Sequence, residues 1–219
     1  MGGLVSDLLA IPGLFIIPIF ELSSLVTLAV TLVLAPLFEA PAFTSSQAVK
    51  AVWFKYLWWW FGPVSKPIFA PSVRPVLEQA RGVVLDIGPA SGIWIRDLSQ
   101  SVKAGRVSKI YGVEPNVRFH PQLIANTKAH GIEDVYKPIA AYAQDLKTHG
   151  IEEKSIDTII TVHVLCSVGP QVDQVVEQLY QYLKPGGQWL VYEHVGSHNV
   201  AVRAWQRKST RTQQFRNSF

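Results

Sequence analysis

The run Val83-Val84-Leu85-Asp86-Ile87-Gly88-Pro89-Ala90-Ser91-Gly92 constrains the fold of this chain more than any other segment. Aliphatic residues lead into an acid and a glycine-rich turn, and helix-forming sequence starts at Ile93. A parallel strand covered on both faces is apolar almost throughout. A tight turn from such a strand onto a helix N-terminus lets a ligand lie against bare backbone N–H groups. Asp86 then limits the ligand. The spacing Gly88-x-x-x-Gly92 departs from the G-x-G-x-x-G of dinucleotide sites, which seat a pyrophosphate on the helix N-terminus. An acid two residues before Gly88 would repel a pyrophosphate, but would hold an ammonium group or ribose hydroxyls. A nicotinamide cofactor is disfavoured on that ground.

After the first strand, Gly82–Ile87, strand and helix patterns alternate. A helix is expected at Ile93–Val102, a strand at Lys109–Val113 and a helix at Pro121–His130. A short strand follows at Val135–Ile139, then a strand at Ile156–Val162 and a helix at Val172–Leu183. Lys184-Pro185-Gly186-Gly187 reads as a helix stop, and Gln188–Tyr192 as a fifth strand. This alternation predicts an α/β domain with a doubly wound parallel sheet.

The N-terminus is of another kind. Leu14 to Phe38 is nearly all apolar, with Glu21 its single ionisable residue. About 20 apolar residues are enough to span a bilayer, so a membrane helix is expected here. Trp53 to Phe61 then places seven aromatic residues in nine positions, a composition suited to the headgroup level. No Lys or Arg precedes the apolar run, whereas Lys50, Lys55, Lys66, Arg74 and Arg81 follow it. The positive-inside rule puts the rest of the chain in the cytosol. Pro18, Pro36 and the polar Glu21-Leu22-Ser23-Ser24 also permit a hairpin in one leaflet, which would suit a lipid-droplet monolayer. The expected organisation is a membrane anchor with an aromatic interfacial segment over 1–61 and a proline-rich linker over 62–81. A ligand-binding domain over 82–195 and a basic polar tail over 196–219 complete it.

The formal charge is +4, yet five basic residues and no acid lie between Arg203 and Phe219. Without them the balance is 15 basic against 16 acidic residues, which argues against a nucleic-acid partner. The one cysteine, Cys166, excludes an internal disulfide and fits a reducing compartment.

The chemistry-bearing positions fall at expected strand ends. Glu114 closes the second strand 28 residues after Asp86, where a carboxylate can accept two hydrogen bonds from a ribose diol. Gln144 and Asp145 follow the third strand, and Asp145 could cap a short helix or face an adenine amino group. His163 follows the fourth strand and Glu193-His194 the fifth, at the ends that face the ligand crevice. Either histidine could serve as a base near neutral pH. No residues are assigned to a metal.

Together, Val84-Leu85-Asp86-Ile87-Gly88-x-x-x-Gly92, Glu114, Ser155-Ile156-Asp157-Thr158-Ile159-Ile160 and Leu183-Lys184-Pro185-Gly186-Gly187 resemble the class I S-adenosylmethionine-dependent methyltransferases. Val164-Leu165-Cys166-Ser167-Val168 and Tyr192-Glu193-His194-Val195, with the apolar N-terminus, look like the membrane-anchored thiol methyltransferase group of endoplasmic reticulum and lipid droplets. The resemblance covers about Gly82 to His194. It implies a seven-stranded Rossmann-like methyltransferase sheet and S-adenosyl-L-methionine as cofactor. Asp86, Gly88, Pro89 and Gly92 would line its methionine end, Glu114 its ribose, and Gln144 and Asp145 its adenine. It also implies in-line methyl transfer from the sulfonium to a nucleophile; the apolar N-terminus and aromatic segment add the expectation of a small, lipophilic acceptor at a membrane surface, with the catalytic domain in the cytosol. His163 departs from the narrower group's usual apolar residue.

Such a sheet normally continues past the fifth strand with an antiparallel pair. The 25 residues after His194 show neither strand alternation nor enough apolar side chains to join a core. The expectation is a sheet lacking its last two strands. Its rival function is a membrane-attached, cofactor-binding or interaction protein without turnover.

Overall fold

The computed structural model describes residues 19–34, 37 and 45–193. The chain divides into two compact units, Met1–Pro67 and Ile68–Phe219.

The first unit contains a helix over 19–34, here α1, and most of a long helix α2, Ser46–Leu77. α1 turns small and hydroxylated residues inward. Ser24 and Thr31 are 2% and 1% exposed, while Leu22, Leu25, Val26, Val30 and Val33 are exposed. The Trp53 indole N–H donates to the Ser24 carbonyl (3.0 Å) and the Thr27 hydroxyl (3.2 Å), and Phe20 packs edge-on against Phe61 at 4.9 Å. The Thr27 and Thr31 hydroxyls donate to carbonyls one turn back (2.6 and 2.7 Å). These bonds satisfy hydroxyls that burial would otherwise leave unpaired.

Among the described residues no helix is long and apolar enough to cross a membrane. The membrane helix expected at Leu14–Phe38 is therefore not supported. Of that run, 14–18, 35, 36 and 38 lie outside the described residues.

The proline-rich stretch expected as a linker is also different: it is the C-terminal half of α2. Pro63, Pro67, Pro71 and Pro75 recur every fourth residue and all four are exposed. Each proline lacks the N–H that would reach the carbonyl four residues earlier. With four-residue spacing, the carbonyls left over belong to Trp59, Pro63, Pro67 and Pro71, along the same exposed stripe. The breaks in the ladder thus stay on one side of the helix. In the first unit Phe61 and Ser65 are buried, and in the second Ala70, Val73 and Leu77.

The second unit carries a five-stranded, wholly parallel sheet in the order β3-β2-β1-β4-β5. Its strands are β1 (Gly82–Ile87), β2 (Val107–Val113), β3 (Tyr136–Ile139), β4 (Ile156–Val162) and β5 (Leu183–Tyr192). The helices are α3 (Ile95–Lys103), α4 (His120–Ala129), the single turn α5 (Leu165–Val168) and α6 (Val172–Tyr182). On one face Val84, Ile110, Ile160 and Leu190 pack with Ile95, Leu98, Leu123, Val73 and Leu77. On the other, Leu85, Val113 and Ile159 pack with Val175, Leu179 and Tyr182. The arrangement is α/β and Rossmann-like, as expected. β1 pairs with β2 on one side and β4 on the other, so the chain reverses direction of build at β1. In open α/β sheets ligands bind outside the strand carboxyl ends at such a point.

Lys184-Pro185-Gly186-Gly187, expected as a turn before β5, lies within the strand as a bulge. Ile156 pairs with Leu183, but Thr158 pairs with Gln188. Residues 194–219, where the missing strands and the polar tail were expected, lie outside the described residues.

Candidate active site

The site is built on the turn between β1 and α3. Three of its residues have left-handed backbone: Gly88 (φ 63°), Ala90 (φ 49°) and Gly92 (φ 78°). At Gly88 a Cβ would crowd Val164, and at Gly92 it would crowd Ile95 and Leu123. Ala90 adopts the same region with a side chain, at a cost of about 1–2 kcal/mol. That conformation aims its N–H at Glu114, whose Oε2 accepts at 2.9 Å. Glu114 Oε1 accepts from the Asn116 N–H at 2.8 Å. The turn is tied down twice more. The Gly88 N–H donates to the Val113 carbonyl (2.9 Å), and the Asn126 amide of α4 donates to the Ser91 carbonyl (2.7 Å).

Asp86, one residue from the end of β1, accepts a hydrogen bond at 2.8 Å from the Tyr136 hydroxyl of β3. Burial pushes its carboxyl up to about 6, against the lowering effect of Tyr136. Glu114 is pushed up to about 7, again chiefly by burial; the Asn116 and Ala90 N–H groups oppose the shift and the Asp86 charge adds to it. Two neighbouring carboxyls with raised affinity for protons, Asp86 lining a cleft and Glu114 5% exposed, gain from a ligand that brings a positive charge and hydrogen-bond donors. The cleft beside the turn is lined by Asp86, Gly88, Pro89, Gly92, Trp94 and Ile160, among others. The chemistry of this donor set fits S-adenosylmethionine: one acid for an ammonium, one for a diol, and a turn whose glycines leave backbone bare.

The other expected residues are distributed more loosely. Gln144 and Asp145 are exposed on the loop after β3. Asp145 does not cap the 3₁₀ turn Leu146–His149 with its side chain, so the capping alternative is not realised. His163 stands at the carboxyl end of β4 with left-handed backbone (φ 57°). Its ring lies edge-on to Phe69 (4.6 Å) and Tyr192 (5.1 Å). His194 lies outside the described residues. Neighbouring Glu193 uses Oε1 to accept from the Val164 (2.9 Å) and Leu165 (3.1 Å) N–H groups, capping α5.

Cys166, on the single turn α5, is exposed. Although the residue is exposed to solvent, the protein packed around its sulfur desolvates the thiolate, and this and then the Glu193 charge push the thiol up to about 11, so it is a poor nucleophile.

Two motif segments belong to the opposite end of the sheet. Asp157 accepts from the Val83 N–H (2.8 Å) and from Lys184 (2.8 and 2.9 Å). Those contacts hold Asp157 below the usual carboxylate range, although its partial desolvation opposes them. They lock β5 to β1 and β4 and do no chemistry.

Tyr136 and Ala90 escaped the sequence reading. Gly112 is the signal for the first: a Cβ there would overlap the Tyr136 ring.

Comparison with known proteins agrees with this arrangement. Residues 69–217 match the methyltransferase-domain family. The chain is 29% identical over 116 residues to the sterol methyltransferase-like 1 protein of Botryococcus braunii, covering 53% of this chain and 28% of that one. It is 30% identical over 101 residues to the thiol S-methyltransferase TMT1B of Rattus norvegicus, covering 45% and 40%. The chain thus spans well under half the length of these curated relatives. The crystal structure of YcgJ from Bacillus subtilis superposes with a TM-score of 0.50 at 19% identity, covering 62% of this chain and 54% of that one, and shares the fold. This chain belongs to the methyltransferase-domain family, and within it to the class I, S-adenosylmethionine-dependent kind that its motifs anticipated.

Proposed function

We propose that the chain transfers a methyl group from S-adenosylmethionine to a small, lipophilic acceptor gathered at a membrane or lipid-droplet surface. On this reading Asp86 holds the cofactor's ammonium group and Glu114 its ribose hydroxyls. Gly88, Pro89 and Gly92 shape the wall beside the methionine end, and Gln144 and Asp145 border the adenine. The cofactor supplies an already activated methyl group, so what the protein must add is alignment and exclusion of water. His163, at the carboxyl end of β4, is the candidate to take the acceptor's proton.

The acceptor's lipophilicity rests on one observation: α1 hides its hydroxyls and exposes its aliphatic side chains. Trp59, 71% exposed, Val64 and Ile68 extend the exposed apolar surface along α2. Lys50, Lys55 and Lys66 add the charge that suits a cytosol-facing surface of endoplasmic reticulum or lipid droplet. That a relative is named a thiol S-methyltransferase and others sterol methyltransferase-like makes both acceptor classes worth assaying.

The test is calorimetric titration of the full chain with S-adenosylmethionine, alongside methyl-transfer assays on matched lipophilic and hydrophilic thiols and a sterol. Preference for a lipophilic acceptor, heightened by vesicles, supports the reading. Equal turnover of hydrophilic and lipophilic acceptors overturns the second half of it, and cofactor binding with no transfer to any acceptor favours a binding protein instead. A His163→Phe variant keeps the ring packing with Phe69 and Tyr192. It should lower kcat about a hundredfold, the size of one lost general base, with KM for the cofactor unchanged.

A further inference from the structure

We infer that Tyr136, reaching across an intervening strand, positions the Asp86 carboxylate for the cofactor's ammonium group; the inference rests on the placement of Asp86 proposed above.

The geometry is unusual for a residue of an edge strand. Tyr136 opens β3 and pairs in register with Ile110 of β2, while Asp86 pairs with Gly112. Ile110, Gly112, Asp86 and Tyr136 share one face of the sheet, because alternate residues share a face. Tyr136 therefore has to pass diagonally over position 112 to reach β1. Only a glycine leaves that lane open, since any Cβ at 112 would overlap the Tyr136 ring. A buried phenylalanine would fill the same space for packing. The hydroxyl, carried on a ring 3% exposed, would be a costly addition without a partner. Its partner is Asp86 Oδ2, at 2.8 Å.

The bond also fixes what Asp86 can do next. Tyr136 stays protonated, because burial and then the Asp86 charge push its hydroxyl well above its ordinary range, so it can only donate to Asp86. With Oδ2 engaged, the carboxylate plane is set, and among the described residues Oδ1 has no hydrogen-bond partner. The ionisable groups around Asp86 are Tyr136 from β3 and Glu114 from β2, with His120 of α4 held 2.9 Å from the Glu114 carbonyl. From β4 and α3 the neighbours on this face are the apolar Ile160, Ile95 and Leu98. Among the described residues no cation pairs with Asp86, so a ligand that brings a positive charge would balance it.

The experiment is a double-mutant cycle on cofactor affinity, by calorimetry on the full chain from pH 5.5 to 8. Tyr136→Phe should weaken S-adenosylmethionine binding about tenfold at pH 7.5, the effect of one lost hydrogen bond to a charged group. It should also move the acid limb of the binding profile to higher pH, because the group that favours ionised Asp86 is gone. In an Asp86→Asn background the same substitution should change affinity less than twofold. Equal losses in both backgrounds would make Tyr136 a packing residue and overturn the inference. So would a large loss in Asp86→Asn with none in Tyr136→Phe. Wild-type affinity in Asp86→Asn would instead remove Asp86 from the cofactor site, and the inference with it. Should Tyr136→Phe fail to fold, ring-labelled tyrosine NMR on the unaltered chain decides. The Tyr136 resonance should track the titration of Asp86 and move on cofactor binding, and a resonance indifferent to both refutes the coupling.

Discussion

In the sheet, Val84, Ile110 and Ile160 are closed off from solvent, and the acids Asp86 and Glu114 gather at one end. In the α1–α2 unit, Ser24 and Thr31 are closed off, while Leu22, Leu25, Val26 and Val30 are exposed. One chain thus folds by two rules. Burying aliphatic surface drives the sheet together in water, at about 25 cal/mol for each Å². The helical unit buries Val52, Leu57 and Phe61 along with Ser24 and Thr31, yet leaves the aliphatic side chains of α1 outside.

The comparison breaks most readily through matched truncations. Ile160→Ala should cost about 3 kcal/mol of stability, the usual cost of a large-to-small change in a packed core. Val30→Ala should stay within about 0.5 kcal/mol, as exposed substitutions do. Val30→Ser and Leu25→Ser should instead reduce co-sedimentation with phospholipid vesicles. Chemical denaturation of the two alanine variants, with vesicle pull-down of the two serine variants, checks both halves. A core-sized loss in Val30→Ala would mean that α1 is covered rather than exposed.

A second contrast concerns polar groups. The Thr27 and Thr31 hydroxyls are satisfied within their own helix, whereas Glu114 is pinned by backbone N–H groups yet retains lone pairs for a ligand. Glu114→Ala should weaken S-adenosylmethionine binding about thirtyfold, equivalent to about 2 kcal/mol. Thr27→Val should leave cofactor affinity unchanged. Isothermal titration of the two variants separates a ligand-directed polar group from a packing one, and equal affinities would dissolve the distinction.

How much of this was legible beforehand varies by element. The bounds of β1 and β4 follow directly from the sequence, because strands covered on both faces are rich in aliphatic and β-branched residues, as in Gly82–Ile87 and Ile156–Val162. The helical state of Pro63–Pro75 was not legible from proline content, which speaks for a linker. It follows from proline spacing, which keeps every lost hydrogen bond on one exposed stripe. The bulge at Lys184–Gly187 looks like a turn because locally it is one; its place inside β5 depends on pairing with β4. In the site, Asp86 and Glu114 could be read from their positions at strand ends. Tyr136 could not, since its contact with Asp86 depends on the register of three strands, and Gly112 was a hint only in retrospect. The left-handed backbone of Ala90 could not be read from an alanine in a turn; it goes with the N–H that Ala90 presents to Glu114.

The acids also separate the two units by pH. Burial raises Asp86 to about 6 and Glu114 to about 7, above their ordinary values. Between about pH 4 and 7 the folded domain therefore holds protons that the unfolded chain has released. Ligand-free stability should then be highest at the acid side of that window and fall by about 1–2 kcal/mol as pH climbs through 6 and 7. Cofactor affinity should run the opposite way, since the ionised acids are the binding form, and should drop as pH falls below about 7. Thermal melts from pH 5 to 8, with and without saturating S-adenosylmethionine, test both signs. The slope should flatten in the Glu114→Gln variant, and identical slopes in the variant and the parent would sink the assignment.

The smallest effect lies at Ala90, where the sheet domain accepts backbone strain. Its φ of 49° is a conformation that glycine adopts freely. Ala90→Gly relieves the crowding of Cβ but gives the unfolded chain more freedom, about 0.4–1 kcal/mol in the opposite direction. The two terms partly cancel, leaving a gain of about 0–1.5 kcal/mol. What distinguishes the position is the N–H it presents to Glu114 Oε2, and glycine keeps that donor. Cofactor affinity should therefore survive Ala90→Gly unchanged. Ala90→Val, which adds β-branching to a left-handed residue 6% exposed, should lose both stability and affinity. Melting temperature and calorimetric Kd for the two variants discriminate cleanly: if glycine weakened binding while the fold held, the alanine methyl itself would be touching the cofactor, and the turn would recognise its ligand by more than bare backbone.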